Sequence, residues 1–129
     1  MKEKFISKVP ERLNIQPAVV SARTAWNARY NVALWFRLHQ LCTGDARLVL
    51  KYMDQEGISR RVLVDQSSTD LTHQILLSGE VTLTAVGNVI DMSVYLEMPD
   101  NPPGYTVEEL FVQGSDRTHS VSAKLITAA

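Results

Sequence analysis

The sequence predicts an all-β chain that folds as an antiparallel sandwich of about eight strands. Two observations support this prediction. From residue 30 onwards, apolar and polar side chains alternate with a period of two over short segments, which is typical of half-buried strands. These segments recur roughly every 8 to 15 residues and are separated by turn-forming residues, a spacing that favours a sandwich or barrel over an α/β fold.

The chain divides into an N-terminal arm over residues 1–29 and the sandwich over residues 30–129. The arm contains "VPERLNIQP", whose two prolines exclude a central strand and a continuous helix, so we expect an extended arm or an edge strand. Residues 17–28 remain open between a short helix and a strand. The helical alternative rests on a proline suited to a first helical turn and on residues at helical spacing after it: Pro17, Ala18, Ala22 and Trp26.

The first predicted strands are "YNVALWFRL" and "RLVLKYM". One parity of the first strand is entirely apolar and should face the core: Tyr30, Val32, Leu34, Phe36 and Leu38. After the second strand, "DQEG" supplies a turn in which Gly57 can take a positive φ. A hairpin to "ISRRVLV" follows, and pairing Tyr52 with Ile58 and Leu48 with Val62 would bring the apolar sets onto one face.

The later strands depend on two glycine-containing links. "DLTHQILL" is a candidate strand, and we interpret the Ser78–Gly79 link after it as a passage between sheets. Within "VTLTAVGNVIDMSVYLEMP" the alternation changes parity at Gly87–Asn88, which predicts a two-residue hairpin turn, with a bulge in one long strand as the alternative. "MPDNPPGY" is a proline-rich loop, and "YTVEELFVQ" and "HSVSAKLIT" complete the strands.

The second half of the sandwich resembles jelly-roll β-sandwiches of the carbohydrate-binding-module and galactose-binding type. The resemblance lies in "LSGEVTLTA", "IDMSVYLEM" and "YTVEELFVQ" and covers about 40 residues. Small tailed-phage head-decoration (cement) proteins are similar in fold and size. The family's acidic pair is usually Asp, so the Glu pair of this chain departs from any inherited ion site. The matching positions are Gly79, Leu83, Val94, Leu96, Tyr105, Val107, Glu108, Glu109 and Leu110.

Composition restricts the classes of partner and compartment. The net charge is −1, which argues against a general binder of nucleic acid or membrane surfaces, and the single cysteine, Cys42, excludes an internal disulfide. No apolar run approaches the roughly 20 residues of a membrane helix. The first residues lack the apolar region of a signal peptide, so we expect a cytoplasmic protein, or one on the capsid surface of a virion if the source is a bacteriophage.

No metal or nucleophile motif emerges from the histidines and the cysteine. His39 and Cys42 are three residues apart, but a metal site would need a second ligand pair, and an idle thiol is the simpler interpretation. His73 and His119 lie in alternating segments, as ordinary sheet positions do. We therefore expect no cofactor and no metal.

The acidic residues do not predict an active site either. Asp54 and Glu56 resemble a fragment of a calcium loop, but such sites take six to eight oxygen ligands, so a solvated turn is the better interpretation. Glu108 and Glu109 are adjacent in a strand and should point to opposite faces, which separates them as an acid/base pair. The chain is therefore expected not to be an enzyme.

Contact with partners is the remaining hypothesis. Trp35 and Tyr95 fall on the polar parity of their strands and should be exposed, where an aromatic can anchor a protein contact or stack on a sugar. The alternative is that the N-terminal arm folds back over them. The arm offers five apolar side chains to a neighbouring subunit: Phe5, Ile6, Val9, Leu13 and Ile15. We expect a homo-oligomeric structural protein that binds a shell or capsid protein, with a carbohydrate-binding module as the alternative. Deletion of residues 1–16 should then abolish assembly while the sandwich still folds.

Overall fold

The computed structural model describes residues 2–9, 25–114 and 122–125, and within these ranges the chain contains only strands and connections. The predicted all-β antiparallel sandwich is confirmed. None of the described segments is a helix that could cross a membrane. The eight strands are β1 (Lys2–Lys8), β2 (Ala25–Leu38), β3 (Asp45–Asp54), β4 (Ser59–Ser68), β5 (Gln74–Val86), β6 (Val89–Met98), β7 (Tyr105–Gly114) and β8 (Ser122–Leu125).

The strands form two four-stranded sheets, and every pairing is antiparallel. Sheet A has the order β1-β6-β3-β4, and sheet B has the order β5-β2-β7-β8. The sequence left this order open. β2 and β3 lie inside their sheets, each with a neighbouring strand on both sides.

The core lies between the two sheets. In β2 the predicted inward set is confirmed, since all five of its residues are buried: Tyr30, Val32, Leu34, Phe36 and Leu38. In β3, Leu48, Leu50 and Tyr52 are buried in the same core. The period of two is therefore set by burial of one face of each sheet.

The N-terminal arm contributes to the sandwich itself. β1 is an edge strand that pairs with β6, and Ile6 and Val9 are buried in the chain's own core. β2 already begins at Ala25, so the domain boundary expected after residue 29 falls inside a strand, and residues 25–28 are strand and not helix. Leu13 and Ile15 lie outside the described residues.

The β3–β4 hairpin exists, but its predicted register is wrong. Tyr52 pairs with Arg60, two residues from the predicted partner, and Leu48 pairs with Asp65, three residues from it, because a bulge lies between Leu48 and Val49. The turn is longer than expected, because the Gly57 N–H donates to the carbonyl of the last β3 residue at 2.9 Å and strand pairing resumes only at Ser59. Gly57 does take the predicted positive φ, 78°.

The two glycine-containing links have the opposite roles to those predicted. β5 runs without interruption through Ser78–Gly79, and Gly87–Asn88 connects β5 in sheet B to β6 in sheet A. The predicted hairpin and the alternative bulge are therefore both wrong. The Gln55 side chain from the β3–β4 turn holds this connection, since its Oε1 accepts the Asn88 N–H at 2.9 Å. Strands of both sheets point alternate residues into the shared core. Alternation alone therefore does not distinguish a hairpin within one sheet from a connection between the two sheets.

Gly79 marks the edge where the two sheets meet. A Cβ atom added to Gly79 would lie 2.5 Å from the carbonyl oxygen of Val64 in β4, so the two backbones approach too closely for a side chain. Next to it, Asp65 Oδ2 accepts the Ser78 N–H at 2.9 Å. The glycine that resembled a passage between sheets is the contact that closes the sandwich along β4 and β5.

Candidate contact surface

The histidines and the cysteine have structural surroundings. His39 Nε2 lies 3.1 Å from the Thr106 hydroxyl, and His73 Nδ1 lies 2.9 Å from the Leu38 carbonyl oxygen. The backbone N–H of Cys42 donates to the Thr69 carbonyl at 3.1 Å. No group of three or more His, Cys, Asp or Glu side chains in the described ranges could hold a metal ion. His119 lies outside these ranges.

Asp54 is buried, which corrects the prediction of a solvated turn. Its carboxylate accepts hydrogen bonds from the backbone N–H groups of Val86 at 2.8 Å and Glu56 at 2.9 Å, and it is paired with the Arg60 guanidinium. Burial by itself would raise the pKa of Asp54, but the hydrogen bonds and the Arg60 charge outweigh it and hold the pKa below its ordinary value of 3.8. Since Val86 belongs to sheet B, this carboxylate joins the two sheets at one end of the sandwich.

Glu108 and Glu109 do not point to opposite faces, because β7 has a bulge at this position. Trp35 pairs with Glu109 and Phe36 with Val107, which leaves Glu108 as the extra residue. Glu108 reaches Gln74 at 3.1 Å and Arg37 at 3.8 Å on the outer face of sheet B, the face that also bears Trp35 and Glu109. The reason for separating the two carboxylates was therefore wrong. They lie on an open sheet face, where both are partly exposed.

The outer face of sheet B carries an apolar patch centred on Trp35. We call it the Trp35 patch and define it as Ala33, Trp35, Leu76 and Phe111. Trp35 pairs directly with Leu76 of β5, and Ala33 pairs directly with Phe111 of β7, so the four side chains form a compact group across three strands. Trp35 is 37% exposed and Leu76 is 40% exposed. The predicted outward position of Trp35 is confirmed.

Polar residues border the Trp35 patch at its two ends. Arg37 and Glu108 pair at 3.8 Å beyond one end, and Arg29 and Glu80 pair at 3.9 Å beyond the other. None of the ion pairs between described side chains crosses the patch. An apolar centre with a polar border is the composition of a protein contact surface.

The outer face of sheet A also has an apolar row, but ion pairs cover its middle. The sheet A row consists of Phe5, Tyr95, Val49 and Leu63, which are register partners across all four strands. Phe5 and Tyr95 form an edge-to-face pair with ring centroids 5.6 Å apart. Phe5 is 56% and Leu63 is 46% exposed at the two ends of the row, whereas Val49 in its middle is fully buried.

Two diagonal ion pairs account for this burial. Lys51 of β3 reaches Glu3 of β1 at 2.5 Å, and its ammonium passes 4.5 Å from the centroid of the Tyr95 ring. Arg61 of β4 reaches Glu97 of β6 at 2.6 Å, and the register places Val49 midway beneath that pair. Each pair spans the strand between its members, and the long aliphatic stems shield the apolar row. The Trp35 patch has no such cover among the described side chains.

The predicted contact residues therefore do not converge on one surface. Phe5 and Tyr95 meet on sheet A, Trp35 lies on sheet B, and Ile6 and Val9 face the chain's own core. Sequence reasoning missed Leu76 and Phe111, which lie in the apolar runs "QILL" and "ELFVQ". Successive apolar residues in a strand must face opposite sides, and this signal could have identified the outward members.

Comparisons with protein families, curated proteins and solved structures gave no match. The resemblance to carbohydrate-binding and decoration proteins therefore rests on the sequence pattern alone.

Proposed function

We propose that this chain is a non-enzymatic structural protein that self-associates through the Trp35 patch and binds a larger assembly. The observation behind the proposal is the contrast between the two outer faces. On sheet A, ion pairs cover the middle of the apolar row and the exposed members, Phe5 and Leu63, lie at its two ends. On sheet B, Trp35 and Leu76 pair directly at the centre of the patch and keep more than a third of their surface exposed. An exposed tryptophan at the centre of a polar-bordered patch is a typical anchor of a protein contact.

A second copy is the occupant that we propose for the patch. Each end carries one arginine and one glutamate, so two patches related by a two-fold axis could exchange partners without burying an unpaired charge. Three strands about 4.8 Å apart and a nine-residue stretch of β2 give a face of roughly 440 Å². Two such faces bury roughly 900 Å², the size of a weak or transient interface, so association should depend on concentration.

Sedimentation velocity over a concentration series tests self-association. The wild type should show a concentration-dependent dimer or larger oligomer, and Trp35→Asp should remain monomeric at every concentration. Leu71→Asp is the matched control, because Leu71 is an exposed leucine in the β4–β5 loop, outside the patch. A monomeric wild type at about 1 mM, or unchanged association of Trp35→Asp, would refute the proposal.

Deletion of the arm would be a poor test of assembly. Loss of residues 1–16 removes β1 and takes Ile6 and Val9 out of the core, so the sandwich itself would lose stability. Point substitutions on the outer face separate assembly from folding.

The larger assembly that we propose is a capsid shell of a tailed phage, by resemblance to head-decoration proteins. Co-sedimentation of the purified chain with capsids assembled from a shell protein tests this partner. Retention of wild type but not of Trp35→Asp on capsids would support a role for the same patch. Equal retention of both would place the capsid contact elsewhere, and no retention of either would refute the capsid as partner.

Carbohydrate binding by Trp35 is the second candidate. The observation in its favour is the group of polar side chains beside the ring, Arg37, Gln74 and Glu108, which could accept and donate hydrogen bonds to a stacked sugar. Trp35→Ala should then abolish binding on a glycan array while secondary structure is unchanged. Absence of any wild-type signal on the array would refute this candidate.

A further inference from the structure

A depression on the outer face of sheet A contains a buried hydroxyl group that has no hydrogen-bonding partner among the described residues. The depression measures about 120 Å³ and has Ser93 among its lining residues. Ser93 is only 5% exposed, and its hydroxyl makes no hydrogen bond within the described part of the chain. Buried hydroxyl groups nearly always have a partner, and in a hollow open to solvent that partner is a water molecule or a ligand that replaces it.

The hollow exists because a small residue is surrounded by large ones. On β6, Asp91 and Tyr95 lie two residues to either side of Ser93 and therefore point to the same face. On β3, Lys51 pairs with Ser93, and Met53 pairs with Asp91. Strand geometry thus builds a floor of one hydroxyl and walls of four larger side chains.

The charges around the hollow cancel. Lys51 is paired with Glu3 at 2.5 Å, and Asp91 is paired with Lys8 at 3.4 Å. An ionic ligand would have to compete with these internal partners. A neutral ligand could accept from the lysine and donate to the carboxylate while both ion pairs persist.

The walls combine hydrogen-bonding groups with apolar surface. Ser93 and Ser59 offer hydroxyl groups, whereas the Tyr95 ring and the Met53 thioether offer apolar contact. At about 30 Å³ per water molecule, the hollow would hold roughly four waters, or one face of a ring-sized ligand. A molecule with hydroxyl groups on its edge and C–H groups on its face matches both kinds of wall.

We infer that this hollow binds one residue of a neutral saccharide, with the hydroxyl of Ser93 and the carboxylate of Asp91 as its hydrogen-bonding partners. The site lies on the sheet opposite the Trp35 patch. It is therefore independent of self-association through that patch, and it is a different site from the glycan candidate at Trp35.

The experiment uses the full chain and a panel of neutral hexose and N-acetylhexosamine oligosaccharides, screened on an array and then titrated by NMR. Binding should shift the backbone amide signals of Ser93 and Tyr95. Ser93→Val fills the hollow and removes the hydroxyl, so affinity should fall at least about tenfold, the effect of losing one good hydrogen bond. Asp91→Ala gives a second variant at an exposed position, where folding should not be affected. Thr82→Val is the control, because Thr82 is an exposed residue of sheet B.

The outcomes separate the two sugar sites and the assembly proposal. Loss of binding in Ser93→Val and Asp91→Ala, with retention in Trp35→Ala and Thr82→Val, would support the inference. Loss in Trp35→Ala alone would overturn it and favour the sheet B site. No saccharide that shifts the Ser93 and Tyr95 signals would also overturn it, and neither result would bear on sedimentation of the wild type.

Discussion

Removal of the buried Asp54 carboxylate should strongly destabilise the end of the sandwich at which it joins the two sheets. In Asp54→Ala, the backbone N–H groups of Val86 and Glu56 both lose their acceptor. An unsatisfied buried donor costs about 1 to 3 kcal/mol. Glu56 is exposed and its N–H can reach water, and Arg60 is partly exposed as well. We therefore expect a total loss of about 3 kcal/mol, in the lower half of the range of about 2 to 6 kcal/mol for two donors.

Urea unfolding followed by tryptophan fluorescence measures this loss. With a slope of about 1.5 kcal/mol per molar, a loss of 3 kcal/mol lowers the midpoint by about 2 M. Glu56→Ala is the matched control, since Glu56 pairs with the same Arg60 at 3.1 Å but is exposed, and its loss should cost less than about 1 kcal/mol. All variants must be compared at a concentration where their oligomeric state is the same. A midpoint of Asp54→Ala within about 0.3 M of wild type, or equal effects of the two substitutions, would refute the reasoning.

Three further predictions follow from contacts in the sandwich. The pKa of Asp54 is lowered in the folded state, so its carboxylate contributes fully to stability above its ordinary pKa of 3.8, and this contribution is lost as the pH falls through the folded-state pKa. In urea titrations, the stability difference between wild type and Asp54→Asn should therefore shrink below about pH 4. Gly79→Ala should lower the free energy of unfolding by about 2 to 3 kcal/mol, because its Cβ would meet a backbone oxygen. Gly57→Ala has open space around it and should lose only the roughly 1 kcal/mol that a positive φ costs. A larger loss for Gly57→Ala than for Gly79→Ala in thermal unfolding would contradict this account. Arg61→Ser should expose Val49 and lower the free energy of unfolding by less than about 1 kcal/mol. The difference in stability from wild type should diminish in 1 M salt, and a difference that grows with salt would contradict a contribution from the ion pair.

The sequence predicted where most strands lie but not which strands pair with each other. The period of two in β2 identified every inward residue from Tyr30 to Leu38, because burial of one sheet face enforces that alternation. The same alternation is produced by a hairpin and by a crossing between sheets, so Gly87–Asn88 was misassigned. The deciding contact is the long-range hydrogen bond from Gln55 to the Asn88 N–H, which local pattern does not encode.

Bulges limited the prediction of the surface in the same way. A bulge at Glu108 adds one residue to β7 and brings two adjacent carboxylates to one face, contrary to simple alternation. The hollow at Ser93 was equally hidden, because it depends on neighbours from β3 as well as β6. Such sites arise from register between strands, and register is fixed by contacts far apart in the sequence.

The two outer faces differ in how their central apolar side chains are covered, and we propose different roles for them on that basis. On sheet A, the side chains of Lys51 and Arg61 cover the middle of the apolar row and leave a small polar hollow beside Tyr95. On sheet B, the Trp35 patch stays open to a partner of similar flatness. Stacked sheets lie about 10 Å apart, and sites that far apart without shared partners usually have additive effects. In the double variant, Trp35→Asp should therefore reduce self-association, and Ser93→Val should reduce saccharide binding, to the same extent as each substitution does alone. A saccharide that changed the sedimentation of the wild type would show instead that the two faces are coupled.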